Sequence, residues 1–165
     1  NRLKTFIMKT IFLLSLCFLA LISCKQSVIL RVQYHQPHCG GAPPQPGHED
    51  GTFYPYIGTI LLKSKQDSLL ISTRLGGVDV KLRKGGYSWY EANKLETAEF
   101  IYQGLLGLNP EFYIPGDLEC VKFWKTQSDG SFLFNKNSDT VVLTLPLDCY
   151  TKGFPCVEYI GPKYQ

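Results

Sequence analysis

From residue 28 onward, apolar and polar side chains alternate with a period of two. Val28, Leu30, Val32 and Tyr34 fall on one face, and Ile29, Arg31, Gln33 and His35 fall on the other. That pattern predicts a half-buried strand. Residues 35–55 (HQPHCGGAPPQPGHEDGTFYP) break it with prolines and repeated glycines, which predicts a long loop without regular structure. Short strands are expected next over 58–64 and 68–73, joined by a polar turn at Lys65-Gln66-Asp67. After Gly76-Gly77, Val78, Val80 and Leu82 alternate with Asp79, Lys81 and Arg83. A turn at Lys84-Gly85-Gly86 then leads to a strand carrying Tyr87 and Trp89 on one face. Residues 91–100 (EANKLETAEF) form the one helix candidate, and 112–115, 119–124, 131–134 and 140–145 read as further strands. Many short strands with little helical periodicity predict an all-β, antiparallel β-sandwich over residues 28–165.

The start of the chain follows a different pattern. Met8 is the only methionine; Lys9 follows it, and residues 11–22 (IFLLSLCFLALI) carry no charge. Twelve residues fall well short of the ~20 that span a bilayer as a helix. A basic residue before such a run marks a signal-peptide apolar segment. The run ends in Leu21-Ile22-Ser23-Cys24, which resembles the lipobox of bacterial lipoproteins: apolar residue, tolerant position, small residue, cysteine. The resemblance implies cleavage before Cys24 and a diacylglycerol on its thiol. Residues 1–23 are therefore read as a signal peptide, with 1–7 upstream of the true start. Residues 24–27 are read as the lipidated cysteine and a short tether.

This division changes the charge balance. The whole chain has 17 basic and 14 acidic residues, but Arg2, Lys4 and Lys9 precede the cut and every carboxylate follows it. The mature chain is then balanced, at 14 of each, and has no basic run suited to nucleic acid. From Cys24 onward 142 residues remain, enough for one domain with a core. Cys39, Cys120, Cys149 and Cys156 form an even set, which in an oxidising compartment predicts two disulfides. Of the three connectivities, Cys39 with Cys120 and Cys149 with Cys156 is the expected one; it pins the proline loop and closes a small terminal loop.

Two further stretches resemble known families. Residues 72–90 (STRLGGVDVKLRKGGYSWY) resemble the core of carboxypeptidase-regulatory-like, transthyretin-like domains through Thr73, Gly77, Val78-Val80-Leu82, Lys84, Gly85 and Tyr87. Arg74 stands where that family usually has Asp, and Gly86 adds a residue before Tyr87. The second resemblance is to a group of uncharacterised bacterial lipoproteins. It rests on Cys39-Gly40-Gly41-Ala42-Pro43-Pro44-Gln45-Pro46, on Cys120 with Trp124, and on Pro155-Cys156-Val157-Glu158-Tyr159-Ile160-Gly161-Pro162. Together these imply a transthyretin-like or Ig-like sandwich in the bacterial cell envelope, on the periplasmic or cell-surface side. They imply no reaction.

Candidate chemistry is sparse. His35, His38 and Cys39, with His48 nearby, have ligand types suited to zinc or copper, but a disulfide at Cys39 removes the thiolate. Asp117 and Glu119 have acid–base chemistry, although alternate acids before a strand suit a solvated face. No Gly-x-Ser-x-Gly, His-Glu-x-x-His or Cys-x-x-Cys occurs. Tyr34, Phe53, Tyr54, Tyr56, Tyr87, Trp89, Tyr90 and Trp124 offer flat surfaces that stack on sugars or peptides, or else fill the core. The expectation is a non-enzymatic binding or assembly module without a cofactor. It is held to a membrane through Cys24, with an envelope protein or glycan as partner; the alternative is a zinc- or copper-binding lipoprotein.

Overall fold

In the computed structural model, strand β1 (Gln26–Gln36) is hydrogen-bonded along both of its edges. The structure describes residues 25–40, 46–47, 50–92, 94, 103–104, 106–107, 110–135, 137–151 and 153–163. The signal segment, Cys24, His48, and Asn93 and residues 95–100 of the helix candidate lie outside these; Ala92 and Lys94 are helical. The strand begins two residues earlier than its alternation suggests, leaving Lys25 as the only described tether residue. Strand β2 (Thr52–Pro55) pairs antiparallel with positions 33–36 of β1. Regular structure therefore intrudes on both ends of the expected loop: in sequence, Pro37, Pro43, Pro44 and Pro46 fall between the strands, Pro55 only ends β2, and Thr52, Phe53 and Tyr54 are strand-favouring residues.

Strands β3 (Thr59–Lys63), β4 (Ser68–Ser72), β5 (Val78–Leu82) and β6 (Gly85–Glu91) follow the expected turns. The Ser64 hydroxyl accepts from the Gln66 and Asp67 amides, which closes the β3–β4 turn. Tyr87 closes the β5–β6 turn: its hydroxyl accepts from the Arg83 amide and donates to the Arg83 carbonyl, both at 3.0 Å. Beyond β6 come β7 (Tyr113–Pro115), helix α1 (Leu118–Thr126), β8 (Gly130–Phe134), β9 (Thr140–Pro146) and β10 (Val157–Tyr159).

One sheet is built on β1. β5 pairs antiparallel with positions 26–30, and β9 runs parallel to positions 29–35. Ile29 and Leu30 pair with both β5 and β9, while Gln33, Tyr34 and His35 pair with both β2 and β9. So β9 fills one edge of β1, and β5 and β2 share the other. Gly77 lies against β1 beside that shared edge, with φ +96°; a Cβ there would sit 2.9 Å from the Leu30 carbonyl oxygen. The second sheet has the order β4-β3-β6-β8, antiparallel throughout. Val28, Leu30, Val32, Val80, Leu82, Leu143 and Leu145 of the first sheet pack against Ile60, Leu62, Ile71, Tyr87, Trp89 and Phe134 of the second. The chain is all-β in its main body, with its core between two sheets. The fully antiparallel expectation is corrected at β1–β9, because alternation reveals which face of a strand is buried but not which neighbour it takes.

A smaller unit adjoins the sandwich. β7 and β10 pair antiparallel, and with α1 they bury Val121, Phe154, Cys156 and Val157 beside Tyr113, Cys120 and Trp124. The expected strand over 119–124 is a helix. Asp117 is its N-cap, its carboxylate accepting from the Cys120 amide at 2.7 Å, and Glu119 and Lys125 lie at the ends that suit the helix dipole. Cys120, Val121 and Trp124 fall on one helical face toward Phe154 and Cys156.

The disulfides also differ from expectation: they are Cys39–Cys149 and Cys120–Cys156. Parallel pairing carries β1 and β9 out of the sheet side by side, and the Leu147 amide still bonds the His35 carbonyl at 2.8 Å. Cys39 and Cys149 lie just beyond that point. The other bridge ties α1 to the start of β10, where the Gly116 amide bonds the Cys156 carbonyl at 2.9 Å.

Digestion of the unreduced protein should yield a Cys39–Cys149 peptide pair and a Cys120–Cys156 pair. Removing the first bridge as a Ser/Ser double variant should cost roughly 5 kcal/mol in urea unfolding, and removing the second roughly 4 kcal/mol. A Cys149–Cys156 peptide from folded protein would contradict the assignment.

Candidate functional site

A cleft of about 580 Å3 opens where the sandwich meets the small helical unit. Four routes of the chain converge on it. The end of β1 contributes Tyr34; the end of β6 and the helical turn after it contribute Glu91 and Lys94. The exit of α1 supplies Trp124, Gln127, Ser128 and Asp129, and the segment after β9 brings Leu147 and Phe154.

A buried cation organises the floor. The Lys94 side chain is 3% exposed; its Nζ lies 2.7 Å from Asp129 Oδ1, donates to the Gln127 carbonyl at 3.1 Å and sits 4.8 Å above the Trp124 ring. Burial at this level is tolerable because the charge is both paired and hydrogen-bonded. The other carboxylate oxygen of Asp129 accepts from the Glu91 amide at 2.6 Å, and the Asp129 amide donates to the Trp89 carbonyl at 2.9 Å. Asp129 thus joins the helical turn to the second sheet.

Glu91 occupies a different environment. The Tyr34 hydroxyl donates to its Oε1 at 3.4 Å. Burial, and then the neighbouring charge of Asp129, hold its carboxyl above the ordinary range; hydrogen bonds from Tyr34 and Tyr56 and the charge of Lys94 oppose this only in part. Burial and then Glu91 push the Tyr34 phenol up to about 12, and the same causes raise Tyr56. The two tyrosine rings meet edge to face at 5.3 Å. The cleft therefore offers aromatic and apolar walls around one carboxyl whose partners are phenols, while the neighbouring charges are spent on each other.

The rim after β9 is fixed by Asp148. Its carboxylate accepts from the amides of Tyr150, Thr151 and Gly153 and from the Thr151 hydroxyl. Burial pushes its pKa up, but these hydrogen bonds outweigh burial and leave it below the ordinary value.

The sequence-derived candidates are mostly not brought together. Cys39 is bonded to Cys149, so its thiolate is unavailable. His35 Nε2 is 2.7 Å from the Asp50 carbonyl oxygen and its ring stacks on Phe53, while His38 is exposed. Among the described residues, no three His, Cys, Asp or Glu side chains form a potential metal site. Asp117 caps α1, and Glu119 forms an exposed ion pair with Lys122. Of the aromatic set, Tyr34 and Trp124 reach the cleft; Tyr56, Tyr87 and Trp89 are core; Phe53 and Tyr54 are exposed; and Tyr90 lies under Lys63. Sequence reading missed Glu91, Lys94 and Asp129. Their one local signal is the i,i+3 spacing of Glu91 and Lys94 in the helix candidate.

Comparison with protein-family models, curated proteins and solved structures finds no match.

The raised pKa of Glu91 fixes the sign of a pH effect. A carboxyl whose folded value lies above its ordinary 4.5 contributes stability that is fully present below that value and lost as pH rises through the folded one. Glu91→Gln keeps an acceptor for Tyr34 and removes the titration. Its melting temperature should therefore gain on the parent as pH rises from 4 to 8. A variant that loses ground over that interval would show that the ionised form is the better-held one.

Proposed function

We propose that the mature chain is a lipoprotein of the bacterial cell envelope, anchored through Cys24, that acts as a non-enzymatic binding module. The cleft between the sandwich and the helical unit is its ligand site. The observation that carries the reading is the convergence of Tyr34, Trp124, Leu147 and Phe154 on the Glu91 carboxyl within one cavity. Apolar walls with a few placed polar groups are the usual make-up of small-ligand sites. Glu91 supplies the orienting acceptor, so the ligand is expected to bring a hydrogen-bond donor and an apolar or ring-shaped body. A fragment of an envelope glycan or protein has both.

Several features support the finer parts of this proposal. The motif Leu21-Ile22-Ser23-Cys24 supports the anchor. The transthyretin-like reading of the sandwich is supported by the roles of its motif residues. Tyr87 closes the β5–β6 turn, and buried Thr73 accepts from the Gly58 amide and donates to the Tyr56 carbonyl, both at 3.0 Å.

Two experiments test the two halves. Cys24→Ser should abolish acyl labelling and release the protein from membranes; continued lipidation would defeat the anchor assignment. For the cleft, envelope glycan and peptide fragments can be screened by tryptophan fluorescence, since Trp89 is core and Trp124 lines the site. Ligands found this way should bind Glu91→Gln about tenfold more weakly, the loss of a charge-assisted hydrogen bond. Unchanged affinity in that variant would move the binding site elsewhere.

A further inference from the structure

The mature chain is balanced in charge overall, yet its charges are separated along β1. Lys25, at the start of the strand, is 3.6 Å from Asp67 in the β3–β4 turn, and Arg83, in the β5–β6 turn, is 3.7 Å from the same carboxylate. Arg83 also donates to Gln66 at 3.2 Å. These contacts put the beginning of β1 and both turns at one end of the sandwich. Among the described residues, the charged groups at that end are Lys25, Lys63, Lys65, Lys81, Arg83 and Lys84, against Asp67, Asp79 and Asp139. Lys65 and Lys84 are exposed at the tips of their turns, and neither has an ion pair among the described residues. Toward the opposite end, among the described residues, Asp50, Glu91, Glu111, Asp117, Glu119, Asp129, Asp148 and Glu158 outnumber Arg74, Lys94, Lys122, Lys125 and Lys163, and Arg31 lies midway along β1.

We infer that the basic end, led by Lys25, Lys65, Arg83 and Lys84, docks on the anionic phospholipid headgroups of the bilayer that holds the anchor. The inference rests on the lipoprotein reading, because the tether is what selects this occupant. Two residue steps separate Cys24 from Gln26, at most about 7 Å of chain. A strand starting that close to the bilayer brings its own end of the sandwich to the surface, and that is the end with the positive excess. Lysine and arginine near an anionic surface are attracted within a Debye length, about 8 Å at physiological salt. The eight residue steps from Gln26 to Tyr34 span roughly 26 Å. The cleft and its acidic surroundings therefore stand well outside the range in which the headgroups would repel them. β1 works as a strut that sets the height of the ligand site.

The test uses full-length lipidated protein in vesicles of pure phosphatidylcholine and in vesicles with phosphatidylglycerol replacing part of it. Amine acylation followed by peptide mass spectrometry reads each lysine. Lys65 and Lys84 should label roughly fivefold more slowly in the anionic vesicles. That protection should disappear near 1 M salt, where the Debye length is about 3 Å. Lys122 and Lys125 should label equally in both. A Lys65→Gln/Lys84→Gln variant, altered only at turn tips, should remain lipidated and vesicle-bound while Lys25 loses part of its protection. Equal labelling of Lys65 and Lys84 in both vesicles, with the protein lipidated and bound, overturns the docking inference alone. Absence of acyl mass on the Cys24 peptide, with no flotation in either vesicle, overturns the lipoprotein reading and the docking inference with it.

Discussion

Pairing along both edges of β1 is the constraint on which the rest of the structure depends. The edge taken by β9 brings the last third of the chain beside the first strand, and the edge shared by β5 and β2 brings the middle of the chain there too. Leu30 is fully buried because sheet neighbours flank it on both sides and the second sheet covers its inner face. The register also sets where Tyr34 ends up: opposite Leu145, at the end of the sandwich where Glu91 and the helical unit meet. A slip of one residue would turn Val28, Leu30 and Val32 outward and remove the core and the cleft wall together.

Much of the sandwich was legible in the sequence, because each strand declares its buried face locally. Val28-Leu30-Val32, Val78-Val80-Leu82 and Tyr87-Trp89 have period two, and their turns carry glycine or polar residues that close them. What was not legible depends on partners distant in sequence. The parallel β1–β9 pair has no local mark, and the disulfide pattern follows from that pair. Residues 119–124 (ECVKFW) fit a strand by composition. The deciding signal was Asp117, which is an N-cap only if a helix follows it. The cleft was the least legible feature. Tyr34, Glu91, Trp124 and Phe154 come from four separate parts of the chain, and none has unusual neighbours in sequence.

The cleft is also where the fold carries its electrostatic costs. Lys94 is removed from water but recovers its hydrogen bonds from Asp129 and Gln127, so its charge acts as a structural pin between helical turn, helix exit and sheet. Glu91 lacks such a partner and rests on phenols. A domain needing only stability would gain by an apolar or amide side chain there. Retaining a poorly compensated carboxyl in an open cavity fits a site where a ligand supplies the missing donor.

The two disulfides have a consequence for how the protein matures. In the unfolded, reduced chain the thiol of Cys149 has Cys156 only seven residues away, whereas its native partner Cys39 is 110 residues away. Loop-closure statistics scale as the three-halves power of length, so the local encounter is favoured roughly sixtyfold. Oxidation ahead of folding therefore traps a Cys149–Cys156 loop, which must be reopened by thiol exchange before β1 and β9 can be joined. The lowest-entropy-cost bridge is the wrong one, and productive oxidation has to wait for the first strand to find the ninth.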